Sequence, residues 1–168
     1  MPIQIPPVKD KKFVHLATSL FQRLGIEGTA AESGMYTVSL DDDVNIHLVN
    51  VQAGFLNIWC FAGRVPPAPD SKQLLRLLGF NSYESAHPAI NLGLNSTSTK
   101  FVLWTRQALD ELDEKAVVAL FERFVYSIEQ FQRHVVIDRA HESTSQATAH
   151  RLKNRLSLWT GKASGGQP

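Results

Sequence analysis

A chain of 168 residues, 43% of them hydrophobic, can bury one sizeable core, and its formal charge of +1 leaves no strong overall bias. Its longest apolar runs, such as Ile58 to Ala62, fall far short of the roughly 20 residues that cross a bilayer, and Met1 to Lys12 mixes prolines with charges where an export signal needs a continuous apolar stretch, so a cytoplasmic protein without membrane insertion is expected. Residues 1–137 carry 12 basic and 14 acidic side chains and residues 138–168 carry 5 and 2, so the body lacks the basic surface of a nucleic-acid binder.

Taken in chain order, Asp10 is a helix cap after Pro6-Pro7, and Phe13, Leu16, Ala17, Leu20, Phe21 and Leu24 recur at helical spacing until Gly25 stops them. From Gly34 the period becomes two. Tyr36, Val38 and Leu40 alternate with polar residues, Asp41-Asp42-Asp43 makes a turn, and Val44, Ile46 and Leu48 form the return strand. Phe55 to Phe61 is apolar on both alternating sets, which predicts a central strand covered on both faces. After Pro66-Pro67-Ala68-Pro69, Asp70 or Ser71 caps a short helix carrying Leu74, Leu75, Leu77 and Leu78, with Gly79 as its expected end.

Ala89 to Leu94 and Lys100 to Arg106 read as two strands joined by the turn-rich Asn95 to Thr99. Asp113 then caps a long helix with a narrow seam of Val117, Phe121, Phe124, Ile128, Phe131 and Val135. Beyond Ile137 the composition turns polar, which predicts one folded domain over 1–137 and a basic, mostly flexible tail over 138–168. Leu152, Leu156 and Trp159 could form one weak amphipathic stretch within that tail.

Catalytic chemistry finds little support. The six histidines show no metal-ligand spacing with cysteine or carboxylate, and Asp41 to Asp43 lacks the alternate ligands and closing glutamate of a calcium loop, so no metal and no cofactor are expected. The single cysteine, Cys60, cannot form an internal disulfide and lies mid-strand between Trp59 and Phe61, with no basic neighbour to activate it. No glycine-rich phosphate loop occurs. An enzyme is therefore not expected, and a small hydrolase would require turnover sensitive to Cys60→Ala.

The element order, with particular residues in it, resembles the class I type III secretion chaperones. The resemblance spans roughly Phe13 to Val135. It rests on Leu20-Phe21-Gln22-Arg23-Leu24-Gly25-Ile26 closing the first helix, a strand pair pivoting on Val38-Ser39-Leu40-Asp41-Asp42-Asp43-Val44, and an aromatic-rich third strand. Leu74-Leu75-Arg76-Leu77-Leu78, Asn91-Leu92-Gly93-Leu94-Asn95 and Phe121-Glu122-Arg123-Phe124-Val125 complete it. Two departures are the near-neutral charge, where the family is acidic, and Asn95, where the family more often has aspartate.

The resemblance implies an α+β domain, a twisted antiparallel sheet of about five strands with three helices in the order α-β-β-β-α-β-β-α. It also implies binding without turnover: a homodimer that holds the N-terminal segment of a secreted effector partly unfolded and yields it to the secretion ATPase. The alternative is a general adaptor or secretion regulator of the same fold that serves many effectors. The expected effector surface is Phe21, Leu24, Ile26, Val38, Ile46 and Trp59, with the strand at Phe101 to Thr105 as the fallback groove. The expected dimer contact is Leu74, Leu75 and Leu78 with Ile90, Leu92 and Leu94, because the second helix has more leucine faces than one sheet contact can bury.

Overall fold

Asp10 caps the first helix by accepting hydrogen bonds from the backbone of Lys12 (2.9 Å) and Phe13 (3.3 Å). The helix, α1 (Lys11–Leu24), ends where Gly25 turns left-handed at φ 64°; Gly25 N–H then bonds Gln22 O and Ile26 N–H bonds Phe21 O, a Schellman closure that draws Ile26 back over Phe21. The computed structural model describes residues 10–26, 34–41, 44–65, 71–81, 87–95 and 97–134. The tail expected from residue 138, and Val135, lie outside them.

Strands β1 (Tyr36–Asp41), β2 (Val44–Val49) and β3 (Phe55–Arg64) are followed by α2 (Ser71–Phe80), β4 (Asn91–Asn95), β5 (Lys100–Ala108), a short 3-10 turn at Leu109–Glu111 and α3 (Glu114–His134). The five strands form one antiparallel sheet in the order β1-β2-β3-β5-β4, so the expected α+β class and element order stand. β1 and β2 pair as the first hairpin, with Asp41 opposite Val44 after a register shift; Asp42 and Asp43 of the expected turn lie outside the described residues. Asp113 caps α3 through Ala116 N–H (2.7 Å).

Helices α1 and α3 pack against each other on one face of the sheet. Into that layer point Val38 and Leu40, Ile46 and Leu48, Leu56, Ile58 and Cys60, and Phe101 and Leu103, all buried. Opposite them stand the whole hydrophobic face of α1 and the expected seam of α3 as far as Phe131, widened by Leu120 and Val125. Each such large side chain contributes on the order of 2 kcal/mol by leaving water. Rings close the two ends of the layer: Tyr36 against Phe13 and Phe21, and Phe131 edge-on to both Phe80 and Phe101.

Two expectations require correction. Gly79 does not end α2; the helix runs one residue further because Phe80 is anchored on Phe131 at 5.7 Å. Strand β3 is central but not covered on both faces: Leu56, Ile58, Cys60 and Ala62 are buried, whereas Phe55, Asn57, Trp59 and Phe61 are only half-buried, since both packed helices lie on the same side.

Arg123, from the expected motif on α3, is tied to the loop ahead of β4. Its guanidinium donates to the carbonyls of His87 (2.8 Å) and Pro88 (2.5 Å), and burial lowers its pKa. Thr105 Oγ1 fixes the next carbonyl, Ala89 O, at 2.8 Å. The edge strand is thereby fastened to the core before it begins.

Candidate effector-binding face

The open side of the sheet is built by the second alternating set of each strand. On β1 and β2 this set is polar and internally paired: Thr37 Oγ1 lies 3.0 Å from His47 Nδ1, and Ser39 Oγ donates to Asn45 Oδ1 at 2.6 Å. On β3 and β5 it is aromatic. Trp59 is the register partner of Trp104, Phe61 faces Val102, and Phe55 stands at the end of the row. His47 stacks on Trp59 with ring centroids 4.3 Å apart, and Phe61 meets Trp59 edge-on at 5.4 Å.

Two cations lie flat against this floor. Lys100 Nζ sits 5.0 Å from the Phe61 centroid, and the Arg106 guanidinium lies 3.9 Å from that of Phe55 while donating to Gln52. On β4, Gly93 lies beside the indole of Trp104, where a Cβ would meet Nε1 at an ordinary contact distance of 3.7 Å. Trp104 is 42% exposed. The surface thus has an apolar middle and a polar margin, the anatomy of a recognition patch.

Of the six residues expected to bind an effector, Phe21, Leu24, Val38 and Ile46 are 4% exposed or less, and α1 and the sheet close over them. No ligand reaches them in this conformation. Ile26 is half-buried behind Gly25, and Trp59 stands on the open face. On the fallback strand, Phe101, Leu103 and Thr105 are buried, while Val102 and Trp104 turn to the open face. Phe55, Phe61 and the two cations were not singled out in the sequence, and Trp104 only as part of the fallback strand, although the doubled apolar pattern of β3 marked the strand that carries two of them, Phe55 and Phe61.

The residues expected at a dimer contact divide similarly. Leu75 and Leu78 are about two-thirds exposed (68% and 70%), and Leu74 and Leu94 also face solvent. Leu92 is half-buried and Ile90 is core, so Ile90 offers no surface. Helix and strand are neighbours, because the Asn81 side chain, just past α2, accepts from Leu92 N–H (2.7 Å) and donates to Leu92 O (3.0 Å), as a strand partner would. That pairing satisfies the outer edge of β4 at its middle.

Elsewhere, burial pushes the Cys60 thiol up to about 12, which leaves it protonated and unreactive at neutral pH. A cleft of about 650 Å³ lies beside α3 at His87, Gln107, Glu111, Ala119 and Arg123. Arg123 bonds two carbonyls there while its Nε has no bonded partner among the described residues, and Gln107 bonds Glu111. Among the described residues no three His, Cys, Asp or Glu side chains gather to hold a metal, and no helix is long and apolar enough to cross a membrane.

The helix-backed five-stranded sheet is a fold that the chain shares with a solved type III secretion chaperone. The chain belongs to the Tir chaperone protein (CesT) family, whose profile matches residues 15–132. It is 26% identical to the chaperone protein SycT of Yersinia enterocolitica over 118 residues, 70% of this chain and 82% of SycT. Among solved structures it is similar to a chain of the ExsC–ExsE complex (TM-score 0.62, 18% identity, 76% of this chain and 96% of that one). The Yersinia pestis type III secretion chaperone SycH, solved with a fragment of YscM2, gives 0.58 at 18% identity (70% and 98%). The ExoU–SpcU complex of Pseudomonas aeruginosa gives 0.55 at 21% (71% and 93%).

Proposed function

We propose that this chain acts without catalysis, as a cytoplasmic homodimer that binds the N-terminal segment of a secreted effector, keeps it partly unfolded and hands it to the secretion apparatus and its ATPase. The observation that supports this reading is the open aromatic face: Trp59, Phe61 and Trp104 form an apolar floor, with Phe55 beyond Asn57 on the same strand, that no described part of the chain covers. Apolar area of that kind marks an interaction surface. An effector segment laid across it gains hydrophobic contact at the expense of its own disorder, which gives a complex that is stable yet can be stripped. The chaperone domain in this reading is 1–137, with the basic tail 138–168 as an appendage.

Dimerisation is assigned to the leucine face of α2 with Leu94, because four large apolar side chains at one sheet edge match a self-complementary contact. Leu92 lies at its border, and Ile90 supports it from within.

The test is co-expression of the full chain with the protein encoded beside it, followed by light scattering and limited proteolysis. The expected complex contains two copies of this chain, with a protected N-terminal effector segment and no protection of the remainder. Trp59→Ala with Trp104→Ala should abolish it while circular dichroism is unchanged. An effector bound equally well by that double variant, or turnover lost with Cys60→Ala, would overturn the reading. One captured effector marks a dedicated chaperone; several together with the ATPase mark a general adaptor.

A further inference from the structure

Acidic side chains are missing from most of the sheet. The four contiguous strands β2, β3, β5 and β4 contain no Asp or Glu, but they contain Arg64, Lys100 and Arg106, whereas α3 on the other side mixes Glu114, Glu122 and Glu129 with Lys115, Arg123 and Arg133. Arg64 and Lys100 are register partners across β3 and β5. Directly opposed cross-strand residues share a face, and like charges so placed repel. Among the described residues none of these three cations has a carboxylate partner; the ion pairs are Lys12 with Asp110, His15 with Glu114 and Arg133 with Glu129. Lys100 and Arg106 lie against Phe61 and Phe55, at opposite ends of the aromatic row. Six residues of strand separate them, roughly 20 Å.

We infer that this face selects a segment that is apolar in the middle and acidic at both ends, with carboxylates meeting Arg64 and Lys100 at one end and Arg106 at the other. The inference rests on the proposed effector-binding role and adds the chemistry of the segment. A strand of about six residues or a helix of about 13 spans the distance. The chain's own tail is the wrong occupant, since residues 151–162 carry Arg151, Lys153, Arg155 and Lys162 and no acid. A second copy presenting the same face would oppose cation to cation. Desolvated on an aromatic floor, each added carboxylate pair favours the matching sequence over its charge-reversed counterpart and speeds its arrival.

The experiment uses the full chain and three synthetic peptides without tryptophan. They share one apolar core of 13 residues and carry two Glu, two Gln or two Lys at each end; binding is read by calorimetry and by the protein's tryptophan fluorescence. The Glu peptide should bind about tenfold more tightly than the Lys peptide in low salt, with Gln between them, and the gap should narrow in 0.5 M NaCl. Lys100→Glu with Arg106→Glu, checked for folding by circular dichroism, should invert the order. Equal affinities, or an order unchanged by the double reversal, would overturn charge selection and leave the aromatic platform standing. Peptides that bind none of these forms, with effector capture intact in the Trp59→Ala, Trp104→Ala protein, would remove the platform itself. A single-stranded oligonucleotide of 13 nucleotides binding as tightly as the Glu peptide would show that the face reads phosphate, and would overturn the acidic-segment inference.

Discussion

The two faces of strand β3 have nearly the same hydrophobicity and opposite fates. Leu56, Ile58, Cys60 and Ala62 are sealed under α1 and α3, while Phe55, Trp59 and Phe61, one residue out of step, form the floor of an open surface. Alternation tells which side chains need cover. It does not tell what supplies the cover. Here the helices can reach only one face, because α1 and α3 also pack on each other, and α2 is held out at the β4 edge by Phe80 and Asn81.

The contrast breaks most visibly when one side chain of each face is removed. Phe121→Ala should cost about 3–5 kcal/mol, because that ring is fully enclosed by α1 and the sheet and its loss leaves a cavity. Ile46→Asp should leave no cooperative unfolding transition, since it places an unpaired carboxylate in the same layer. Trp104→Ala on the open face should change unfolding free energy by about 1 kcal/mol or less, yet weaken effector binding about tenfold or more. Urea denaturation followed by circular dichroism separates these outcomes. A Trp104 variant that unfolds like the Phe121 variant would mean the two faces are not different in kind.

A third surface, at the α2 edge, sharpens the comparison. Leu75→Glu should convert a dimer to a monomer in sedimentation velocity while thermal stability measured on the monomer is retained, because Leu75 makes little use of its own chain. A Leu75→Glu protein that sediments as a dimer would move the contact elsewhere. Arg123→Ala should lower stability by about 2 kcal/mol, as two charge-assisted bonds to His87 and Pro88 are lost and the lead-in to β4 is freed. Unchanged urea midpoints in that variant would show the clamp to be redundant.

Much of this could be read in the sequence. Caps at Asp10 and Asp113, the stop at Gly25 and the hairpin at the acidic run follow from local chemistry, which a one-dimensional pattern records directly. The end of α2 was misplaced because a long-range ring contact, Phe80 with Phe131, overrides the weak helix propensity of Gly79. The expected effector surface drew on the most apolar positions of α1, β1 and β2, and these positions are the ones the fold itself consumes. Trp59 was singled out, but its neighbour Trp104 belongs to a strand whose adjacency is a fact of topology, invisible until β5 is seen to insert between β3 and β4. The paired cations Arg64 and Lys100 depend on the same register.

The smallest expected effect is also confined to the open face. His47 lies against Trp59 with its Nδ1 at Thr37 Oγ1, and burial lowers its pKa below the ordinary 6.5 with no carboxylate bonded to it among the described residues. Because the folded-state value lies below the unfolded one, the unfolded chain takes up this proton first as pH falls. The contribution of His47 is therefore whole above about 6.5 and is lost as pH drops through the folded value. Thermal unfolding at pH 7 and pH 5 should show a slightly larger loss of stability in the wild type than in His47→Gln. Occupation of the face would bury the ring further and widen that gap, so the same pair of proteins, measured with the Glu-ended peptide bound, should show a stronger pH dependence of binding in the wild type. Identical pH profiles for wild type and His47→Gln, free and bound, would place the ligand on some surface that does not include Trp59.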